Sequence, residues 1–159
     1  MADIKIVRLT DYSLALGTMK ECWDGMAEDG AEITFVPDLI GENWMSVIVD
    51  NKYAGFFRFV NITSVMQECH VCILEPYRRY IRQAGIECYK ILLDGGIQKL
   101  SANIPSFNKK AISYAKKMGF IEQGENSKSY MKNKKLCSLV QMGIERKEME
   151  ELCHQPYQH

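Results

Sequence analysis

Residues 44–60, WMSVIVD-NK-YAGFFRFV, limit the fold more than any other stretch of the chain. Two runs rich in β-branched and aromatic residues flank Asn51 and Lys52, which is the pattern of an antiparallel hairpin. Gly55 in the second run marks a bulge or a close backbone approach. A third run, QECHVCIL (67–74), lies beside the pair and stops at Glu75-Pro76, where proline ends a ladder. The chain is therefore built around an antiparallel sheet, and the remaining segments must cover or extend it.

The first of these, KIVRLT (5–10), alternates as a strand. A helix follows from about residue 11, with apolar positions at Leu14, Met19, Cys22, Trp23 and Met26 and a cap from Asp11 or Ser13. Pro37 and Gly41 break up residues 30–42, leaving a short helix or an irregular loop near 36–39. Beyond the hairpin, RRYIRQAGIECYKILLDGG is helical from about Tyr80 and closed by Gly95-Gly96. IQKLSANIP (97–105) is a short strand. SFNKKAISYAKKMGF (106–120) is an amphipathic helix opened by Asn108, and a strand pair with a Lys-rich turn near Asn133 follows it. These elements make one α/β (α+β) domain over 1–144, a central mixed and mostly antiparallel sheet of six to seven strands with helices on both faces. Residues 145–159 read as a C-terminal tail with a short helix that then frays.

Length and composition narrow the class. A chain of 159 residues that is 47% hydrophobic and 25% charged suits one globular domain. Its apolar runs are a few residues long against the roughly 20 a bilayer needs, so no membrane partner is expected. MADIKIVRLTD carries no basic flank followed by an apolar block, so no export signal is read and the expected location is cytoplasmic. The six cysteines then read as reduced thiols. CHVC (69–72) looks like half a zinc knuckle, but strand alternation puts its two sulfurs on opposite faces, and no metal is expected.

Net charge is zero, yet residues 1–50 hold ten acidic and three basic groups, a balance of −7, which leaves +7 for the rest. Such a molecule offers one face to cations and another to anions. Zero net charge and the lack of an aromatic-basic motif argue against nucleic acid as a partner.

The order of elements, with ILEPYRRYIRQAG after the fourth strand and NKKAISYAKKMGF before the sixth, resembles the GNAT superfamily of N-acetyltransferases over nearly the whole chain. Asn108, Ala111 and Gly119-Phe120 carry its most specific part. The ending Gly119 to Gly124 is similar to members that acetylate protein N-termini, and the compact chain is also similar to members encoded by tailed phages. The resemblance implies the GNAT fold and transfer of an acetyl group from acetyl-CoA to a primary amine by direct attack on the thioester. The acceptor is then a small-molecule amine or a protein N-terminus.

The resemblance also implies site residues. The phosphate-binding turn corresponds to Arg79, Arg82, Gln83 and Ala84, with Arg82 standing where a glycine is usual. Arg78, Arg79 and Arg82 can alternatively meet the phosphates through their guanidinium groups. The backbone at Ile73 and Leu74 would serve the pantetheine amides, and Asn108 its arm. Many relatives carry a tyrosine where this chain has Ala115, and Tyr114 sits about 100° around the helix from it. Catalytic candidates are thus Tyr114 as acid, Glu68 as the strand carboxylate with Ser113 or Ser106 as a hydroxyl, and His70, which shares a strand face with Glu68. Glu28, Asp29, Glu32 and Asp38 would attract a cationic acceptor. A second reading keeps the fold as a catalytically inactive structural or protein-binding module, for example in phage particle assembly. A homodimer is also left open, as is an interface role for Tyr53, Phe56, Phe57 and Phe59.

Overall fold

The computed structural model describes residues 1–33 and 36–155. In chain order it contains β1 (Ile4–Arg8), α1 (Tyr12–Met26), β2 (Asn43–Val49), β3 (Lys52–Asn61), β4 (Met66–Ile73), a 3-10 helix (Glu75–Tyr80) and α2 (Ile81–Asp94). It continues with β5 (Lys99–Pro105), α3 (Lys109–Lys117), β6 (Ile121–Lys132), β7 (Lys135–Glu145) and α4 (Arg146–His154). Seven strands make one sheet in the order β1-β2-β3-β4-β5-β7-β6. Every neighbouring pair is antiparallel except β4 with β5.

The central hairpin turns on Asp50-Asn51, since Val49 already pairs with Lys52. Both turn residues have positive φ, 48° and 66°, as the type I′ turn of a two-residue hairpin requires. Gly55 meets both sequence expectations. Pairing steps from Val47 with Gly55 to Ile48 with Tyr53, so Ala54 is an extra residue on β3. A Cβ on Gly55 would also stand 2.8 Å from the Ile73 Cα across the sheet, at a φ of 142° that disfavours any side chain.

Alternation along β2, β3 and β4 divides the core into two layers. Met45, Val47, Phe57, Phe59 and Leu100 face α2, α3 and α4, while Trp44, Phe56 and Cys72 face α1 with Leu9, Ala15 and Met19. Phe56, Phe57 and Phe59 are all buried, and the Tyr53 hydroxyl lies 2.7 Å from Thr18 Oγ1, so this aromatic run is core rather than interface. Asp11 caps α1, its carboxylate accepting from the amides of Ser13 and Leu14.

Between α1 and β2, residues 36–38 are irregular, and a turn follows in which Asp38 accepts from the Gly41 amide at 2.7 Å. At the other end of the chain α4 packs into the domain. Met149 is fully buried, and the Arg146 guanidinium donates to the carbonyls of Leu93, in the last turn of α2, and of Ile97 just beyond it. The fraying expected of the last residues falls on 156–159, outside the described residues. No helix among the described residues is long and apolar enough to cross a membrane.

Candidate active site

The sheet opens where β4 and β5 part. Their parallel pairing covers only Met66 with Lys99, Gln67 with Leu100 and Glu68 with Ser101. β4 then follows β3 to Ile73, while β5 follows β7 to Pro105. The gap therefore lies between residues 69–73 of β4 and 102–105 of β5. By alternation, Cys69, Val71, Ala102 and Ile104 look to the α2/α3 side, whereas His70, Cys72, Asn103 and Pro105 look to the α1 side.

A groove of about 580 Å³ lies at the start of α2 on the α2/α3 side. Arg78, Arg79, Arg82, Lys109, Lys110 and Lys117 line it together with Ile81, Ser113 and Tyr114, and no carboxylate does. Six cations on one concave surface fit a polyphosphate. Arg78 also donates through Nε to the Ile73 carbonyl at 3.3 Å, and the Arg79 guanidinium lies 4.8 Å over the Tyr80 ring. Of the four lysines of α3, Lys116 instead pairs with Glu122 at 3.2 Å.

The backbone here departs from the sequence expectation. The 3-10 helix runs straight into α2, so the Ile81 amide already donates to the Arg78 carbonyl and the helix start is not bare. Leu74 is engaged through both backbone groups, its amide donating to Ala54 and its carbonyl accepting from Tyr77. Its amide is therefore already paired within the sheet. Ala84 is fully buried in the core, and the groove lining does not include Gln83. Recognition of an anion in this groove thus falls to guanidinium and ammonium groups more than to backbone.

On the α1 side a second groove, of about 380 Å³, is lined by Met19, Trp23, Met26, Glu28, Trp44, Arg58, His70, Cys72, Asn103 and Tyr130, among others. His70 Nε2 stands 2.9 Å from Glu68 Oε1, and Asn103 Nδ2 stands 3.4 Å from Glu68 Oε2. The hydrogen bond from His70, aided by Asn103 and Arg58, holds the Glu68 carboxyl below its usual 4.5, against the opposing effect of burial. Arg58 is gripped by Glu42 through Nε and a second nitrogen, at 3.1 and 2.7 Å, and lies 5.4 Å over the Trp44 ring. Trp44 packs on Phe56 as core, while Trp23 borders the groove and donates to the Ala31 carbonyl at 3.0 Å.

The tip of the β6–β7 hairpin closes the rim of this groove. Asp29 accepts from the amides of Asn133 and Lys134 at 2.9 and 2.7 Å, Glu28 accepts from the Met131 amide at 3.0 Å, and the Tyr130 hydroxyl donates to the Met26 carbonyl. Lys132 adds bonds to the carbonyls of Asp24 and Ala27, near the end of α1, and lies over the Phe107 ring. Of the four acidic residues expected to draw in a cation, Glu28 lines the groove, whereas Asp29 fastens the hairpin and Asp38 holds a turn.

Two more expected residues join the halves of the site. Asn108 caps α3 by accepting from the Ala111 amide at 3.1 Å, and its Nδ2 donates to the Gly25 carbonyl at 3.3 Å, linking α3 to α1. The Tyr114 hydroxyl donates to the Ile81 carbonyl at 2.8 Å, and burial raises it well above its usual 10. Ser113 lines the basic groove, and Ser106 Oγ accepts from the Ser138 amide at 3.2 Å. The structure thus pairs Glu68 with His70, which lines one groove, and gathers the three arginines in the other. Asn103, Tyr130 and the Arg58–Glu42 pair were missed in the sequence because their partners lie far away along the chain. Cys22 was missed as well. A hydrogen bond from Cys72, helped by Arg78 and opposed by burial, lowers its thiol to about 7.

No protein-family model matches the sequence, and no curated protein matches it. Solved structures do match the fold. Spermidine N-acetyltransferase from Vibrio cholerae, solved in complex with CoA and spermine, aligns with a TM-score of 0.77 at 14% identity over 92% of this chain and 98% of that one. Ribosomal-protein-alanine N-acetyltransferase from Brucella melitensis aligns at 0.69 and 16% identity, over 89% and 99% of the two chains. A Salmonella typhimurium protein solved with its cofactor acetyl-CoA aligns at 0.70 and 13% identity, over 91% and 94%. The chain has the fold of these N-acetyltransferases, the GNAT fold.

Proposed function

We propose that the protein is an acetyl-CoA-dependent N-acetyltransferase whose acceptor is a primary amine, either on a small molecule or at a protein N-terminus. The observation that carries this reading is the placement of two unlike grooves on opposite sides of one gap in the sheet. The charged groups of the first are all cationic and suit the phosphates of CoA; the second has aromatic walls and His70, which is paired with Glu68, and suits an amine.

In this reading Arg78, Arg79, Arg82 and the lysines of α3 bind the phosphates. The β4 edge beyond Glu68, which has no strand partner towards β5, receives the amides of the arm, and Asn108 borders its path. When bound, acetyl-CoA supplies the activated acetyl group. Glu28 and the faces of Trp23 and Tyr130 draw in the cationic amine. His70, oriented by Glu68, takes the proton from the ammonium so that the nitrogen lone pair can attack the thioester carbonyl. The carbon–sulfur bond then breaks, and the departing sulfur takes up the second proton that the nitrogen sheds, so CoA leaves as the thiol. Tyr114 is a positioning residue here, because a phenol raised above 10 would give its proton uphill to a thiolate of pKa about 8.5.

The test is thermal unfolding with and without millimolar acetyl-CoA, on the wild type and on Arg79→Ala and Arg82→Ala. The midpoint is expected to rise, since a ligand that binds only the folded state stabilises it. Each substitution should cut affinity by roughly tenfold, the worth of one charge-assisted hydrogen bond. An unchanged midpoint would instead favour the structural or protein-binding module.

A further inference from the structure

Behind the gap, on the side away from the acceptor groove, lies an apolar cavity of about 130 Å³. Cys69 and Val71 of β4 and Ala102 and Ile104 of β5 form its sheet wall, and Ala115 of α3 is part of its roof. These strand residues alternate with His70, Cys72, Asn103 and Pro105, so one gap opens to the amine on one face and to this cavity on the other. Tyr114 borders both the cavity and the phosphate groove, which makes the two spaces adjacent.

The lining has no charged side chain. Its two phenols are already spent, Tyr114 on the Ile81 carbonyl and Tyr89 on the Met118 carbonyl at 2.9 Å. Burial also keeps the thiols of Cys69 and Cys88 neutral by raising both. A guest with amides, such as the pantetheine arm itself, would leave those groups without partners. A hydrocarbon guest would not.

We propose that this cavity is an acyl-chain subsite, and that the protein takes straight-chain acyl-CoA donors longer than acetyl. The inference rests on the acyltransferase reading above and specifies its donor. An apolar cavity of roughly 150 Å³ holds benzene, so a chain of up to about six carbons fits, and a methyl group alone leaves most of the space empty. The thioester sits in the gap, its carbonyl open to the amine from the α1 side and its tail on the α2/α3 side. The chemistry is unchanged: the amine nitrogen bonds to the acyl carbon, the carbon–sulfur bond breaks, and CoA leaves as the thiol with the nitrogen's second proton.

Calorimetric titration with CoA, acetyl-CoA, butyryl-CoA, hexanoyl-CoA and decanoyl-CoA tests this without relying on turnover. Each buried methylene is worth about 0.8 kcal/mol, or roughly fourfold in Kd. Affinity should therefore climb from acetyl to hexanoyl by at least about tenfold and fall again at decanoyl. Filling the space by Ala102→Val or Ala115→Leu should weaken hexanoyl-CoA at least about tenfold more than CoA. Equal affinity along the wild-type series overturns the proposal whether or not either variant folds. Equal losses for CoA and hexanoyl-CoA in folded variants also overturn it, by showing that the arm rather than the tail occupies the cavity. Failure to bind CoA at all overturns the acyltransferase reading itself.

Discussion

Glu68 Oε1 and His70 Nε2 lie 2.9 Å apart on one face of β4. Two residues that alternate along a strand become neighbours by backbone geometry alone, and Asn103 from β5 reaches the other carboxylate oxygen across the start of the gap. The pair is thus fixed from both strands at the place where they separate.

If His70 accepts the amine proton, His70→Ala should lower kcat/KM by about 10²- to 10⁴-fold, and Glu68→Gln by less, because glutamine still holds the ring. The stability readout has a defined sign. The Glu68 carboxyl is depressed in the folded state, so its contribution is present above the usual value of 4.5 and disappears as the pH falls through the folded value. The gap in unfolding midpoint between wild type and Glu68→Gln should be seen at pH 6 and close towards pH 3.

The Cys22 thiol, lowered to about 7, should react differently from an ordinary cysteine. Alkylation by iodoacetamide, followed by peptide mass mapping across pH 5 to 9, should show Cys22 modified first, with a rate that rises through about pH 7. Arg78→Ala should move that rise upward. Cys88, buried and raised, should stay unmodified in the native protein.

Asp29→Ala should free the hairpin tip. Exchange of the Asn133 and Lys134 amides with deuterium should quicken markedly, while amides in β2 and β3 keep their protection. The bonds from Lys134 and Asn133 hold the Asp29 carboxyl below its usual 3.8, so the latch is present above that value and is lost as the pH falls through the folded one.

Met149→Ala should cost about 2–5 kcal/mol in denaturant unfolding, the range for truncating a buried methionine. A loss under about 0.5 kcal/mol would mean that α4 is an appendage, contrary to its packing here.

The fold was legible because its strongest signals are local. The hairpin turn within 50–52, the proline after β4, the Asp11 and Asn108 caps and the glycines closing α2 and α3 each act within a few residues. The grooves were legible only in part. Arg78, Arg79 and Arg82 could be read as phosphate ligands because they sit around a helix start, whereas nothing local tells that Lys109, Lys110 and Lys117 of α3 reach the same groove. Likewise, the use of Leu74's amide by Ala54 extends the β3–β4 register one pair beyond Gly55 and Ile73, and no local pattern announces it. The same holds for α4, whose charged surface masks the single methionine that it buries, and for Asp29, which reads as a free acid until the hairpin tip meets it.

That meeting has a consequence for the order in which the molecule is made. The bonds from Asp29 reach 104 and 105 residues along the chain, to the last turn of the sheet. During synthesis the basic groove has all its residues once α3 has emerged, whereas the acceptor rim waits for both strands of the final hairpin. A growing chain would therefore complete the basic groove before the rim of the second one, and long-range closure is the slow kind of step. The rim of the second groove thus closes only once the hairpin that carries Asn133 and Lys134 is in place.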